Sequence, residues 1–293
     1  MVVRDQSQAR VANEAWNSPS RSISPMAHYQ GTPAGTQLSG SNAYVYPSPD
    51  RHFWRSPTPE QANFSRRPGY VRLLEHVIQM STQLAFPHHD SVPQVGNGVI
   101  YQGFNHEDAF GVRSLGQVSH DIKIGAAGEL LVFEILSSLL SNREDNFGRE
   151  NWKSRIRHEV TVHPAYSDMP PWRGTETADI VFSDFQSTLT GILVQHGYLD
   201  ETWVGACPRY FIEVKTTTGE CDDRFFMSNG QFLRMQSLAL TEGRVTADVY
   251  VIFRVYHLTR DSIDVKIYVD PEAHRRNNNL VFDAQSWSVK RRA

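Results

Sequence analysis

Glu213 and Lys215 stand two residues apart in the run Tyr210-Phe211-Ile212-Glu213-Val214-Lys215-Thr216. The run is aromatic and β-branched, the composition of a buried strand, and strand side chains alternate between faces. Glu213 and Lys215 therefore share one face, and Ile212 and Val214 share the other. Burying a carboxylate and an ammonium demands partners for both. The plain structural account is a cross-strand ion pair on a solvated sheet face. Two further carboxylates argue for more. Glu129 opens the buried stretch of a helix, and Asp179 stands at the entrance of the apolar strand Ala178-Asp179-Ile180-Val181-Phe182-Ser183, where an acid is ordinarily a turn residue. Three carboxylates gathered at one point would repel one another, and a hard divalent cation bound through oxygen relieves that repulsion. Such an ion also lowers the pKa of a bound water, so the chemistry within reach is metal-assisted hydrolysis.

The elements that must position these groups follow from periodicity. Ser119 or Asp121 can cap a helix running through Ile124-Gly125-Ala126-Ala127-Gly128-Glu129 to about Leu140, apolar on nearly every side from Leu130 onward. Gly125 and Gly128 let another backbone approach just ahead of Glu129. Glu134 lies about 140° further round the helix and serves no common site with it. Residues 155–162 alternate imperfectly before Pro164 and read as an outer strand. Ser228-Asn229-Gly230-Gln231 is a capping box that opens a helix through Met235 and Ala239 to a stop at Gly243. Strands near 249–257 and 263–269 form a hairpin. The expected order is helix, three strands, helix, two strands, an α/β arrangement.

Around this core the chain is less regular. Eight of its 15 prolines fall in residues 1–68, among Ser, Gln and Asn and without apolar periodicity, so this part reads as a disordered tail. It carries Ser-Pro or Thr-Pro at Ser18, Ser24, Thr32, Ser48, Ser56 and Thr58, candidate phosphorylation sites. It also carries Arg51-His52-Phe53-Trp54-Arg55 and Arg66-Arg67, mixtures of cation and ring that can grip single strands. Residues 69–118 hold a docking helix over about 69–85 and a loop in which His88-His89-Asp90 reads as surface. The domain proper spans 119–270, and 271–293 is a polar tail. With 40% hydrophobic residues and a net charge of −3, the chain supports a sizeable core and presents no global basic field. Two cysteines, Cys207 and Cys221, exclude a secreted disulfide framework, and neither a signal peptide nor a membrane span is legible. The expectation is a soluble intracellular protein, nuclear or cytoplasmic.

Taken together, Gly128-Glu129, Ala178-Asp179-Ile180, Phe211-Ile212-Glu213-Val214-Lys215-Thr216 and Phe226-Met227-Ser228-Asn229-Gly230-Gln231 resemble the NO VEIN C-terminal domain family, also labelled DUF3883. That family lies within the PD-(D/E)xK, or restriction-endonuclease-like, superfamily. The likeness covers roughly residues 119–258. It departs from the pattern at Ala178, where the superfamily has proline, in the long span from Asp179 to Glu213, whose insert around Ser183 to Arg209 would cover or reshape a cleft, and at Gln231, where an acid is expected. Large relatives join the domain to an ATPase module of the histidine-kinase type, and no such region is visible in this chain.

The resemblance implies a restriction-endonuclease-like core and a nuclease that hydrolyses DNA or RNA phosphodiesters with Mg²⁺ or Mn²⁺. Asp179 and Glu213 would be the main metal ligands, joined by the carbonyl of Val214, and Glu129 would hold a metal water or a second ion. Lys215 would orient the attacking water or offset charge on the phosphate. Arg173, Arg224 and Arg254 are candidates for backbone phosphate contacts, and Gln231 is a secondary candidate whose capping role accounts for it. The alternative is a catalytically silent member that binds nucleic acid, or a protein partner reached through the tail. A zinc site at Cys207 and Cys221 has no supporting ligand spacing.

Overall fold

The computed structural model describes residues 67–91, 115–140 and 147–283; the expectations for residues 1–66 and for 284–293 lie outside them. Helix α1 (Arg67–Ser81) packs on helix α2 (Leu115–Leu140). Tyr70, Leu73, Leu74 and Val77 supply the docking stripe of α1, as its spacing predicts. The helix ends sooner than expected, where Ser81 and Thr82 hydroxyls take the carbonyls of Ile78 and Gln79. Helix α2 begins ahead of both candidate caps, so Ser119 and Asp121 lie inside it. Its residues Ala126, Ala127, Leu130, Leu131, Val132 and Leu136 are fully buried, and α2 is the central helix of the main core.

The sheet holds β1 (Ile180–Ser183), β2 (Arg209–Thr216), β3 (Asp248–Tyr256) and β4 (Asp264–Val269) in that order. β1 runs antiparallel to β2, β2 parallel to β3, and β3 antiparallel to β4 as the expected hairpin. The parallel pair requires a crossover, and helix α4 (Asn229–Ser237) lies within it. The alternation of β2 separates two cores. Tyr210, Ile212 and Val214 join the core built on α2, while Phe211 packs with Met235, Tyr250 and Ile252 in the core under α4. The coarse expectation of a mixed α/β chain holds.

The expected strand over 155–162 is not one. Arg157–Val162 is a 3₁₀ turn. Arg157 and Val160, three apart, both point inward, which fits three residues per turn and not a period of two. The Arg157 guanidinium is buried and donates to the carbonyls of Arg149, Trp152 and Pro170. What remains of a first strand is one bridge between Trp152 and Ile180, together with a 2.7 Å hydrogen bond from Lys153 N to the Asp179 carbonyl. The observed order is therefore helix, strand, helix, strand, helix, two strands.

The insert also differs from expectation. It leaves β1 at Ser183 and rejoins β2 at Arg209, which are paired with each other at the end of the sheet away from Asp179 and Glu213. It thus extends the main core instead of covering the acidic end, through Leu189, Leu193 and Trp203 of helix α3 (Thr188–Gln195) and the turn Glu201–Trp203. Buried Asp184 anchors it, accepting from the Thr188 and Thr190 amides and the Thr190 hydroxyl, each at 2.7 Å. Asp184→Ala strands these donors and is expected to cost about 2 kcal/mol, read as a lower urea midpoint at unchanged m-value.

Helix α4 opens on the predicted capping box but stops at Ser237, and Gly243 serves the turn over 241–244 with φ of 67°. The polar segment after Asp270 contains a short helix, α5 (Pro271–Arg276). The Asp270 carboxylate accepts from the Ala273 amide at its start and from the Leu240 amide.

Candidate functional site

Glu213 and Lys215 lie on the α4 side of β2, as the alternation requires. Lys215 Nζ donates to Glu213 Oε1 at 2.8 Å, with side-chain exposures of 13% and 2%. A second donor, Gln231 Nε2, reaches the same oxygen, while Gln231 Oε1 accepts from Lys215 at 3.3 Å and from the Ser228 amide at 2.8 Å. Gln231 therefore caps α4 and grips both members of the ion pair. Capping alone does not account for it.

Asp179 directly precedes β1, whose register sets Ile180 opposite Ile212. One residue further along, Asp179 stands beside Glu213, and its Oδ2 accepts from the Val214 amide at 2.7 Å. Glu129 comes from α2 on the other face. Both of its oxygens are held by buried donors, Oε2 by Trp152 Nε1 at 2.7 Å and Oε1 by Ser154 Oγ at 2.9 Å. Gly128 brings α2 against the Thr216 side chain, as the sequence suggests for a backbone approach here.

Electrostatically these groups form one cluster. Burial, and next the charge of Glu213, push the Asp179 carboxyl well above its ordinary range, and Glu129 adds to the effect. Burial pushes Glu129 up to about 8 against the pull of its two donors, with Glu213 and Glu176 contributing. Glu176 is half-buried and raised for the same reasons, burial first. The Tyr250 hydroxyl is buried beside them, and burial, then Glu213 and Asp179, raise its pKa. With its carboxyls ionised, the site would carry more negative charge than Lys215 offsets.

Among the described residues, no three His, Cys, Asp or Glu side chains stand close enough together to grip a metal ion as they are. The donor chemistry nevertheless suits a hard cation. It is all oxygen, and with the carboxyls ionised it is under-compensated. Asp179 and Glu213 each have one oxygen engaged in the hydrogen bonds described, whereas Glu129 has both.

The outer candidates divide. Arg173 and Arg224 are exposed. Arg254 is not available to a phosphate, which corrects that expectation. It is fully buried, donates to the carbonyls of Cys221 at 3.3 Å and Asp223 at 2.8 Å, and lies 5.2 Å from the Phe225 ring centroid. A hydrophobic strand that faces a loop packed on its surface has little room for a solvated cation. Glu134, set aside from the site, accepts from the Tyr166 hydroxyl. Cys207 and Cys221 are free thiols.

Sequence reasoning missed Glu176, Trp152, Ser154 and Tyr250. Glu176 carries a faint signal, three residues before Asp179. Trp152 and Ser154 carry none, because they meet Glu129 from an irregular segment more than 20 residues further along the chain. No helix among the described residues is long and apolar enough to cross a membrane. No family model matches the chain, and no curated protein or solved structure is found to be similar to it.

Proposed function

We propose that the chain is a metal-dependent nuclease that hydrolyses phosphodiester bonds of DNA or RNA through Glu129, Asp179, Glu213 and Lys215. What carries the reading is the buried pair of Lys215 and Glu213 on one strand, set beside Asp179 and clasped by Gln231. A purely structural ion pair has no need of two further carboxylates whose charges destabilise it. The mixed sheet, with α2 on one face and α4 on the other, suits a restriction-endonuclease-like core whose first strand is reduced to a bridge, and kinship with the NO VEIN C-terminal family belongs to the same proposal.

Asp179 and Glu213 would hold Mg²⁺ or Mn²⁺, with the Val214 carbonyl beside them. When bound, the ion supplies a nucleophilic water at neutral pH and neutralises charge on the phosphate. Lys215 holds its ammonium at the carboxylate edge, where it can orient a water or meet developing negative charge. Glu129, with both oxygens taken, stands behind the ligands as a buried carboxyl whose ionised form a bound cation would favour. The expected setting is inside the cell, nuclear or cytoplasmic.

A second reading, a silent nuclease-fold domain that binds nucleic acid or a protein partner, is favoured by one observation: each of Glu129, Asp179 and Glu213 already has a protein hydrogen-bond partner. The deciding measurement uses labelled single- and double-stranded DNA and RNA in Mg²⁺, Mn²⁺ and EDTA. Cleavage that requires the ion and falls by about 10²-fold or more in Lys215→Ala, and at least as far in Glu213→Ala, is expected if the site is catalytic. Equal inertness of wild type and variants, all folded, would remove the nuclease and leave the binding module.

A further inference from the structure

Two aromatic side chains stand in the loops that lead into the carboxylate cluster, and neither is needed by the core. Trp172 lies seven residues before Asp179. Phe226 lies in the loop before α4, two residues ahead of Ser228, whose amide is bound by Gln231. Phe226 is 42% exposed, although its neighbours Phe225 and Met227 pack against the core under α4. Trp172 is partly exposed and well fixed. It follows Pro170 and Pro171, Arg157 ties the Pro170 carbonyl at 2.8 Å, and a Cβ at Gly174 would run into its ring, 2.8 Å from Cε2. Cations accompany it, with the Lys153 ammonium 5.8 Å and the Arg157 guanidinium 5.3 Å from the ring centroid. The Lys153 amide is bound to the Asp179 carbonyl, so this group adjoins the site directly.

Rings of this kind present π-faces to unpaired bases. They cannot reach the faces of bases stacked inside a duplex. The charge distribution favours the same partner. Duplex binding draws on the neutralisation of many phosphates along two strands. Here the net charge is −3, and Arg149, Arg155 and Arg209 are paired with Asp168, Glu176 and Asp248. Lys153, Arg173 and Arg224 make no ion pair among the described residues, and they lie in or beside the same two loops. Few cations and two displayed rings suit one strand, held by stacking and a small number of phosphate contacts.

Resting on the proposed nuclease site, we infer that this surface takes single-stranded nucleic acid, with Trp172 and Phe226 as the base-stacking residues. Binding is separable from cleavage. Fluorescence anisotropy in EDTA, repeated in Ca²⁺, would use labelled single-stranded DNA, single-stranded RNA and the corresponding duplex. Wild type is expected to favour the single strands. Trp172→Ala and Phe226→Ala are each expected to weaken single-strand binding about fivefold or more, with the duplex little changed. The DNA and RNA arms identify which strand is preferred. Trp172→Phe keeps a ring and should restore most of the affinity, which separates stacking from damage to the loop, with circular dichroism as the check on folding. The inference is overturned if the duplex binds as tightly as the single strands, if folded alanine variants bind like wild type, or if no nucleic acid binds in either condition. Binding as described in a protein that never cleaves would uphold the stacking surface and remove the nuclease, whereas cleavage with indifferent variants would do the reverse.

Discussion

Glu129→Gln is expected to make the metal-free protein more stable at pH 8 and above while leaving it nearly unchanged near pH 5. Glu129 is fully enclosed, and burial raises its carboxyl to about 8 even though Trp152 and Ser154 donate to it. A carboxyl raised in this way binds its proton more tightly in the native state than in the unfolded chain. Its contribution is complete below the unfolded value and is lost as pH climbs to about 8. Asp179 is displaced in the same direction and adds to the loss. From the size of the Glu129 displacement the penalty is on the order of a few kcal/mol. Glutamine keeps the volume and can still accept one of the two donors, but it carries no charge. Urea denaturation at pH 5.5 and pH 9 in EDTA would show the wild type losing stability between the two and Glu129→Gln losing distinctly less, the remainder being that of Asp179. Equal slopes would mean that the cluster is not strained by charge. Mg²⁺ at pH 9 should restore much of the wild-type loss and have less effect on the variant, because an ion that binds only the folded form stabilises it.

How far the site was legible depended on how local each group's geometry is. Glu213 and Lys215 could be placed together because strand alternation alone puts them on one face. The Ser228 and Gln231 box could be read because it is closed within four residues. Asp179 could be set at the start of its strand, but its partner, the Val214 amide, comes from the pairing of two distant segments. The partners of Glu129 were out of reach for a stronger reason. Residues 155–162 carry enough alternation to mimic a strand, but residues 157–162 form a 3₁₀ turn whose inward-facing Arg157, satisfied by three carbonyls, ties it to the preceding segment that holds Trp152 and Ser154. Arg254 misled in the opposite direction. A cation on a hydrophobic strand near a candidate site suggests a phosphate contact, but the loop over 220–225 covers it and supplies carbonyls instead. Sequence shows that such a residue must be satisfied, and only the fold shows by what.

Gly128→Ala is expected to destabilise the protein by about 1–3 kcal/mol, although the change from glycine to alanine in a helix interior ordinarily gains about 1 kcal/mol. The added Cβ would land on Thr216 Oγ1 and lie 2.7 Å from Thr216 Cγ2 and 2.8 Å from its Cβ. These atoms belong to a strand paired to β3 through Thr216 itself, so they cannot withdraw as the tip of a flexible side chain would. Helix α2 must give way, and it carries Glu129 one residue further on. The Thr216 hydroxyl is buried without a partner, so Thr216→Ala sacrifices little and removes two of the three offending atoms. The double variant should therefore recover part of the lost stability and not all of it, because the Cβ contact remains. A double-mutant cycle in urea would measure that coupling, expected at about 1 kcal/mol or more in the sense of rescue. Additive effects would mean that the helix is not held at the strand by this glycine. If α2 shifts, Glu129 shifts with it, so Gly128→Ala should also flatten the pH dependence described for Glu129, even though it removes no charge. A purely local clash would lower stability equally at pH 5.5 and pH 9. A smaller difference between the two would show that the close approach at Gly128 is what confines the carboxylate to its buried position beside Glu213.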